Sequence, residues 1–316
     1  MPAIETEGLT KDYLVGFWRP RPYRALDGMT LSVEPGEVFG FLGPNGAGKS
    51  TTIKLLMQLI FPTSGTARIL GSPVGTVSVR RRIGFLAENP YYYDYLTAEE
   101  LLTYFARLFG YAPAEAKTRV AGVLDQVGLG SERRMKLRGF SKGMVQRVGV
   151  AQAILNDPEV LFLDEPMSGL DPLGRRDVRD LILGLRKRGC TVFFSSHILS
   201  DAEALCDRVA IVAQGKLAAA GRLNELLAFE LQGWEVVIAD VPAPLAAALP
   251  GRFGSVTTLS GGRVSFKLPA DAEPDRVASS LRADGARLES INPIRHSLED
   301  FFMQHVKGAQ PRATGL

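Results

Sequence analysis

Apolar and polar positions alternate along residues 4–9 and again along 29–33, the period-two pattern of half-buried strands. Between them Trp18-Arg19-Pro20-Arg21-Pro22-Tyr23 breaks the pattern with two prolines and predicts a loop. The apolar run Glu37-Val38-Phe39-Gly40-Phe41-Leu42 predicts a buried strand, and the periodic stretch from about Lys49 to Ile60 a helix. Pro62-Thr63-Ser64-Gly65 reads as a turn, 66–70 as a short strand and 83–88 as another. The period then becomes helical. Thr97 and Glu100 form a capping box, and Leu101, Leu102, Phe105 and Leu108 lie on one face of the helix that it opens. Residues 114–127, ended by Gly128, predict a second helix, and a third starts near Ser141 and stops before Asn156-Asp157-Pro158.

Strand character returns at Val160-Leu161-Phe162-Leu163-Asp164, then at 191–195 and 208–213, with Gln214-Gly215 turning into a last strand over 216–220. Strands that alternate with helices predict a largely parallel sheet. Residues 1–230 therefore read as one α/β domain with a helical insertion at about 90–157. Beyond it the elements shorten. Strand 234–239, helix 243–249, a hairpin of 255–259 and 263–268 around Gly261-Gly262, helix 273–283, strand 286–291 and helix 297–306 follow. The order β-α-β-β-α-β is the ferredoxin-like pattern, so 231–307 reads as a small α+β accessory domain. The tail 308–316 is expected to be disordered.

Composition narrows the class. The 316 residues are 46% hydrophobic and 22% charged, the balance of a globular protein. A net charge of +3 gives no nucleic-acid footprint, and the basic clusters Arg80-Arg81-Arg82 and Arg133-Arg134-Met135-Lys136 are short enough to be solvated faces. No apolar stretch approaches the roughly 18 residues of a membrane span. Glu5 and Glu7 stand where a secretory signal is basic and then apolar. The expectation is a cytoplasmic chain that reaches a membrane only through a partner. Cys190 and Cys206 are far apart and read as reduced packing residues.

Two constellations carry chemistry. Gly43-Pro44-Asn45-Gly46-Ala47-Gly48-Lys49-Ser50-Thr51 fits G-x-x-x-x-G-K-[ST] between a strand and a helix. Glycines let successive N–H groups converge on one anion, and the helix N-terminus points its positive end at the same place. Lys49 adds a point charge for the outer phosphates, and Ser50 offers a hydroxyl to Mg²⁺. The second is Leu161-Phe162-Leu163-Asp164-Glu165, a buried strand ending in two carboxylates. Asp164 is expected to help hold Mg²⁺, directly or through water, and Glu165 to orient or deprotonate an attacking water.

The order of further motifs across residues 1–221 resembles the ATP-binding subunit of an ABC transporter, a P-loop NTPase with a mixed sheet and a helical insertion. Phe140-Ser141-Lys142-Gly143-Met144-Val145-Gln146-Arg147 resembles the family signature LSGGQ, Ser168-Gly169-Leu170-Asp171 its D-loop, and His197 after Phe193-Phe194-Ser195-Ser196 its switch histidine. Tyr13 matches the aromatic that stacks on adenine; Phe17, Trp18 and Tyr23 are the alternatives. Glu88 stands at the Q-loop position, where it implies a role beside metal-bound water, with a carboxylate in place of the usual amide. The signature departs at Lys142 and Met144. The resemblance implies that Ser141 and Gly143 face the γ-phosphate held by a second ATPase subunit, with Asp171 at the same seam. It implies that ATP glues a homodimer, that His197 bonds the γ-phosphate, and that Glu165, His197 and Glu88 serve hydrolysis. The substrate and metal are then ATP and Mg²⁺.

Partners follow from the same resemblance: a second copy and an integral-membrane permease, with the protein peripheral on the inner face of the cell membrane and no nucleic acid bound. Asn89-Pro90-Tyr91-Tyr92-Tyr93-Asp94-Tyr95-Leu96 is expected either to line the groove that receives the permease or to pack the insertion against the core. The signature variant, Glu88 and the C-terminal piece ending in Ser297-Leu298-Glu299-Asp300-Phe301-Phe302 resemble exporters of drugs and polysaccharides. A soluble ATPase of translation or DNA repair is the alternative, but neither a second ATPase unit nor a long coiled coil is present. A regulatory nucleotide switch is a third reading, opposed by Lys49, Asp164, Glu165 and His197 all standing at their motif positions.

Overall fold

In the computed structural model, which describes residues 1–226, 231–295 and 298–299, the chain opens on a long hairpin, β1 (Ile4–Val15) and β2 (Arg21–Val33). Pairing runs from Ile4 opposite Val33 to Val15 opposite Arg21, so the loop expected at 18–23 shrinks to a turn at 16–20. Pro22 is tolerated because β2 is the outer strand of its sheet, where a missing N–H need break no ladder. β3 (Val38–Leu42) is buried throughout and leads through the loop at 43–48 into α1 (Lys49–Leu56). The helix stops short of Ile60. Its end tightens into an i→i−3 bond from Gln58 N–H to the Leu55 carbonyl, and Gln58 turns left-handed at φ 52°.

β4 (Ser64–Ile69), β5 (Ser72–Pro73), α2 (Val77–Arg80) and β6 (Ile83–Leu86) follow. Three helices then intervene: α3 (Ala98–Leu108), α4 (Pro113–Gln126) and α5 (Lys142–Ile154). The capping box of α3 is formed, with Thr97 N–H donating to Glu100 Oε2 at 2.8 Å and Glu100 N–H to Thr97 Oγ1 at 3.1 Å. β7 (Val160–Asp164), α6 (Pro172–Lys187), β8 (Thr191–Ser196), α7 (Leu199–Leu205), β9 (Arg208–Ala213), β10 (Lys216–Arg222) and α8 (Leu223–Leu226) complete the series.

These strands make two sheets. One is antiparallel in the order β2-β1-β4-β5. The other runs β10-β9-β3-β8-β7-β6, parallel except for β10 at its edge. One apolar core joins both sheets to α1: Ile4, Leu26 and Met29 from the first, Phe41, Phe162 and Phe193 from the second, Ile53 and Leu56 from the helix. The Phe193 ring lies 5.3 Å from that of Phe41 and 5.7 Å from that of Phe162, which locks β3, β8 and β7 side by side. Burying each such ring contributes about 1.5–3 kcal/mol. Three neighbouring parallel strands therefore end together at one edge, where a bound ligand is expected in such sheets.

The chain divides into two compact units, the first over residues 1–223 and the second beginning at Asn224. The second contains β11 (Leu231–Ala239), α9 (Ala243–Phe253), β12 (Val256–Thr258), β13 (Val264–Pro269), α10 (Pro274–Ala283) and β14 (Arg287–Arg295). Its sheet is antiparallel in the order β12-β13-β11-β14, over a core of Val236, Ile238, Leu249, Phe266 and Leu281. The final helix expected at 297–306 lies outside the described residues except for Leu298-Glu299, as does the tail 308–316. Among the described residues no helix is long and apolar enough to cross a membrane.

Candidate nucleotide site

The loop at 43–48 is shaped by glycine. Gly46 and Gly48 take φ of 80° and 104°, and a Cβ on Gly48 would come within 2.6 Å of the Ala25 carbonyl. Lys49 opens α1 and is only 6% exposed. Its Nζ donates to the carbonyls of Gly43 at 2.7 Å and Pro44 at 3.3 Å, and lies 3.2 Å from Glu165 Oε1. The ammonium thus stands inside the turn, between the loop and the end of β7.

That strand end is a hydrogen-bonded knot. Ser50 Oγ donates to Asp164 Oδ1 at 3.3 Å, and Ser195 Oγ donates to the same oxygen at 2.6 Å. Ser195 Oγ also accepts the Glu165 N–H at 3.0 Å. Glu165 has φ 50°, a left-handed conformation that costs a non-glycine residue of order 1–3 kcal/mol and clusters at functional sites. The twist sends its carboxylate back over the loop. Oε2 meets His197 Nδ1 at 2.8 Å, and Oε1, though close to Lys49 Nζ, has no hydrogen-bond partner. Burial without such a partner is costly, so this oxygen is a natural acceptor for a polar ligand. His197 reaches the cluster from beyond β8, its side chain 42% exposed.

The structure therefore brings together Lys49, Ser50, Asp164, Glu165 and His197. Asp171 caps α6, accepting the Gly174 N–H at 2.9 Å. Ser141 caps α5 by accepting the Met144 N–H at 3.3 Å and is exposed. Lys142 lies across Gly169, whose Cβ, if it had one, would collide with the ammonium. Tyr13 is half-buried on β1 opposite Tyr23, with the Lys11 ammonium 5.2 Å from its ring. Glu88 stands exposed two residues beyond β6 and makes no hydrogen bond or ion pair with the cluster. Of the tyrosines at 91–95, Tyr92 packs inward. Its hydroxyl donates to Gln152 at 2.9 Å, and burial pushes its phenol up, whereas Tyr91, Tyr93 and Tyr95 are exposed.

Sequence reasoning assigned no role to two members of this region. Ser195 joins Asp164 to the Glu165 backbone, and its signal was a pair of hydroxyls closing an apolar strand just before His197. Gln146, 4% exposed, donates to the Pro166 carbonyl at 3.0 Å and so ties α5 to the segment after β7.

The family model described as ABC transporter matches residues 26–168. An ABC transporter ATP-binding protein of Synechocystis sp. is 42% identical over 307 residues, covering 96% of this chain and 85% of that one. The daunorubicin/doxorubicin resistance ATP-binding protein of Streptomyces peucetius is 42% identical over 226 residues, 71% of this chain and 66% of that one. Among solved structures, the dimeric post-hydrolysis state of the ATP-binding cassette MJ0796 bound to ADP and Pi matches with a TM-score of 0.64 at 26% identity, covering 70% of this chain and 98% of that one. The chain belongs to the ABC transporter family, as an ATP-binding and ATP-hydrolysing subunit.

Proposed function

We propose that two copies of this chain clamp ATP between the loop at 43–51 of one and the head of α5 of the other, and so drive an integral-membrane permease that exports its cargo. The observation that carries this reading is that Glu165 joins three separate segments: its Oε1 lies 3.2 Å from the buried Lys49 ammonium, and its Oε2 meets His197 at 2.8 Å. Lys49 and the backbone N–H groups of Asn45, Gly46, Ala47, Gly48, Ser50 and Thr51 bind the phosphates, while Gly43 and Pro44 shape the loop and hold the Lys49 ammonium through their carbonyls. Glu165 takes the proton of the attacking water or aligns that water. Such general-base help contributes roughly 10²–10⁴-fold in rate. His197, tied to Glu165 Oε2, fixes the direction of that carboxylate and reaches the γ-phosphate with its other nitrogen. Tyr13 stacks on adenine, and Ser141, Gly143 and Asp171 complete the site from the partner copy.

The donor set also fits Mg²⁺. The Ser50 hydroxyl and the Asp164 carboxylate, 3.3 Å apart, are hard oxygen donors. Glu88, exposed beyond β6 and not bonded to them, would act on the ion only through water. When bound, the ion neutralises charge on the β- and γ-phosphates.

Export is supported by likeness to a drug-resistance protein and by the bacitracin transport ATP-binding protein of Bacillus licheniformis, 44% identical over 217 residues. In this reading the chain works on the cytoplasmic face of the membrane. Residues 1–230 are the ATPase domain, and 231–307 form an accessory domain of ferredoxin-like type. The strand order β12-β13-β11-β14 supports that assignment. Glu165→Gln tests the proposal. The variant should retain ATP and elute as a dimer with ATP and Mg²⁺ in size-exclusion chromatography; a monomer that binds ATP would sink the clamp.

A further inference from the structure

The turn that closes the first hairpin carries Phe17 and Trp18, 91% and 90% exposed, their rings packed edge to face with centroids 5.5 Å apart. Leu14 and Val15 lead up to them and are also exposed. Nothing in the first unit covers these side chains, and the core joining the two sheets is complete without them. Charge sorts along the same hairpin. Arg24, nearer the body, is bonded to Asp12 and Asp27. Arg19 and Arg21, at the turn, make no ion pair among the described residues, and no acidic residue lies between Leu14 and Tyr23.

The end of the hairpin therefore presents two aromatic rings, two aliphatic side chains and two uncompensated guanidinium groups within eight consecutive residues. A protein partner would have to supply a pocket for both rings and acidic groups for both arginines, whereas a bilayer offers an apolar interior and anionic phosphates side by side. A lipid surface suits it better. Tryptophan settles at the headgroup level, apolar side chains enter the acyl boundary, and arginines meet anionic phosphates.

We propose that the tip at residues 14–21 is a peripheral membrane anchor, inserting Phe17 and Trp18 into an anionic lipid surface with Arg19 and Arg21 on its phosphates. This goes beyond the ATP clamp and does not depend on it, because the test uses vesicles without any permease or nucleotide.

The full chain holds two tryptophans. Trp234 is half-buried in the second unit, so Trp234→Phe leaves Trp18 as the only tryptophan, which is excited selectively at wavelengths that tyrosine does not absorb. Vesicles of phosphatidylglycerol mixed with phosphatidylcholine should shift Trp18 emission to the blue. They should bind the chain roughly tenfold more tightly than phosphatidylcholine alone, an advantage that falls as salt rises. Phe17→Ser with Trp18→Ser should lower sedimentation of the otherwise native chain with those vesicles by roughly tenfold, and Arg19→Glu with Arg21→Glu should remove the preference for anionic lipid. The replaced side chains are exposed, so an unchanged melting temperature confirms that the variants fold. Unshifted Trp18 emission, or equal sedimentation of wild type and the serine variant, overturns the proposal. A tip that docks only on a protein gives that same negative result with protein-free vesicles.

Discussion

Lys49, Asp164 and Glu165 are nearly inaccessible to solvent and are linked by the Lys49–Glu165 ion pair and by Ser195, which joins Asp164 to the Glu165 backbone, whereas Ser141 and Lys142 at the head of α5 stand in water. The first region holds its charges in place at folding, with the Lys49 ammonium kept in the turn by the Gly43 and Pro44 carbonyls and by Glu165, contacts that an arriving phosphate exchanges for its own oxygens. The second is unsettled by itself. The first turn of α5 contains no acidic residue, and Lys142 adds a cation to the positive end of the helix, an arrangement unfavourable by about 0.3–1 kcal/mol. One region is preorganised around an internal ion pair; the other has a surplus of positive charge that an external anion would relieve. The contrast is what the proposed division of the site between two copies requires.

The largest expected effect comes from removing the cation of the buried region. Lys49→Ala leaves Glu165 buried without its ion-pair partner, and loss of one member of such a pair costs about 3–5 kcal/mol. ATP binding, followed by titration with a fluorescent nucleotide, should be abolished, and the melting temperature should fall. Undiminished affinity would remove Lys49 from the phosphate site and erase the contrast. Ser195→Ala is next. It deletes the hydroxyl shared by Asp164 and the Glu165 backbone, each bond contributing about 0.5–1.5 kcal/mol. Turnover should drop about tenfold with little change in the KM for ATP, because the carboxylates lose alignment and the phosphate loop does not. Ser195→Thr should restore most of the rate. If threonine fails as badly as alanine, packing rather than the hydroxyl is at stake.

How much of this was legible in the chain depends on whether the determinant is local. The phosphate loop, the strand ending in Asp164-Glu165 and the capping box of Thr97 and Glu100 are runs of consecutive residues whose chemistry follows from their own spacing. The extent of the first hairpin was not legible. It rests on pairing such as Tyr13 with Tyr23 across the turn, and Pro22 reads as a strand breaker until it is known to lie on an outer strand. The tyrosines at 91–95 were legible as a group but not individually. The sequence offered an interface or a packing role, and the structure divides them, with Tyr92 bonded inward to Gln152 and Tyr91, Tyr93 and Tyr95 facing out. Coupling to a permease is therefore better probed at Tyr91 and Tyr93 than at Tyr92. The bridging role of Ser195 was hidden for a similar reason. Serine at a strand end is common, and only the register of β7 against β8, with Asp164 opposite Ser195, turns it into a partner of the carboxylates.

The smallest effect, and the one that best separates folding from assembly, is expected at Lys142. An exposed charge acts through water, so reversing it changes a neighbouring interaction by about 1 kcal/mol. Lys142→Glu places an acid in the first turn of α5, which should stabilise the isolated chain by about 0.3–1 kcal/mol through the helix dipole. The same change turns the head of α5 against an incoming phosphate. In the Glu165→Gln background, the ATP-driven dimer should dissociate roughly tenfold more readily by analytical ultracentrifugation, and the difference should shrink as salt screens the charge. Lys142→Gly, which restores the family residue and introduces no negative charge, should fall between the two. The two readouts of Lys142→Glu thus move in opposite directions, with a higher melting temperature and a weaker dimer. No general loss of structure produces that pair of results. A dimer as tight as that of the parent would mean that α5 meets no anion, and the exposed region would then be ordinary solvated surface.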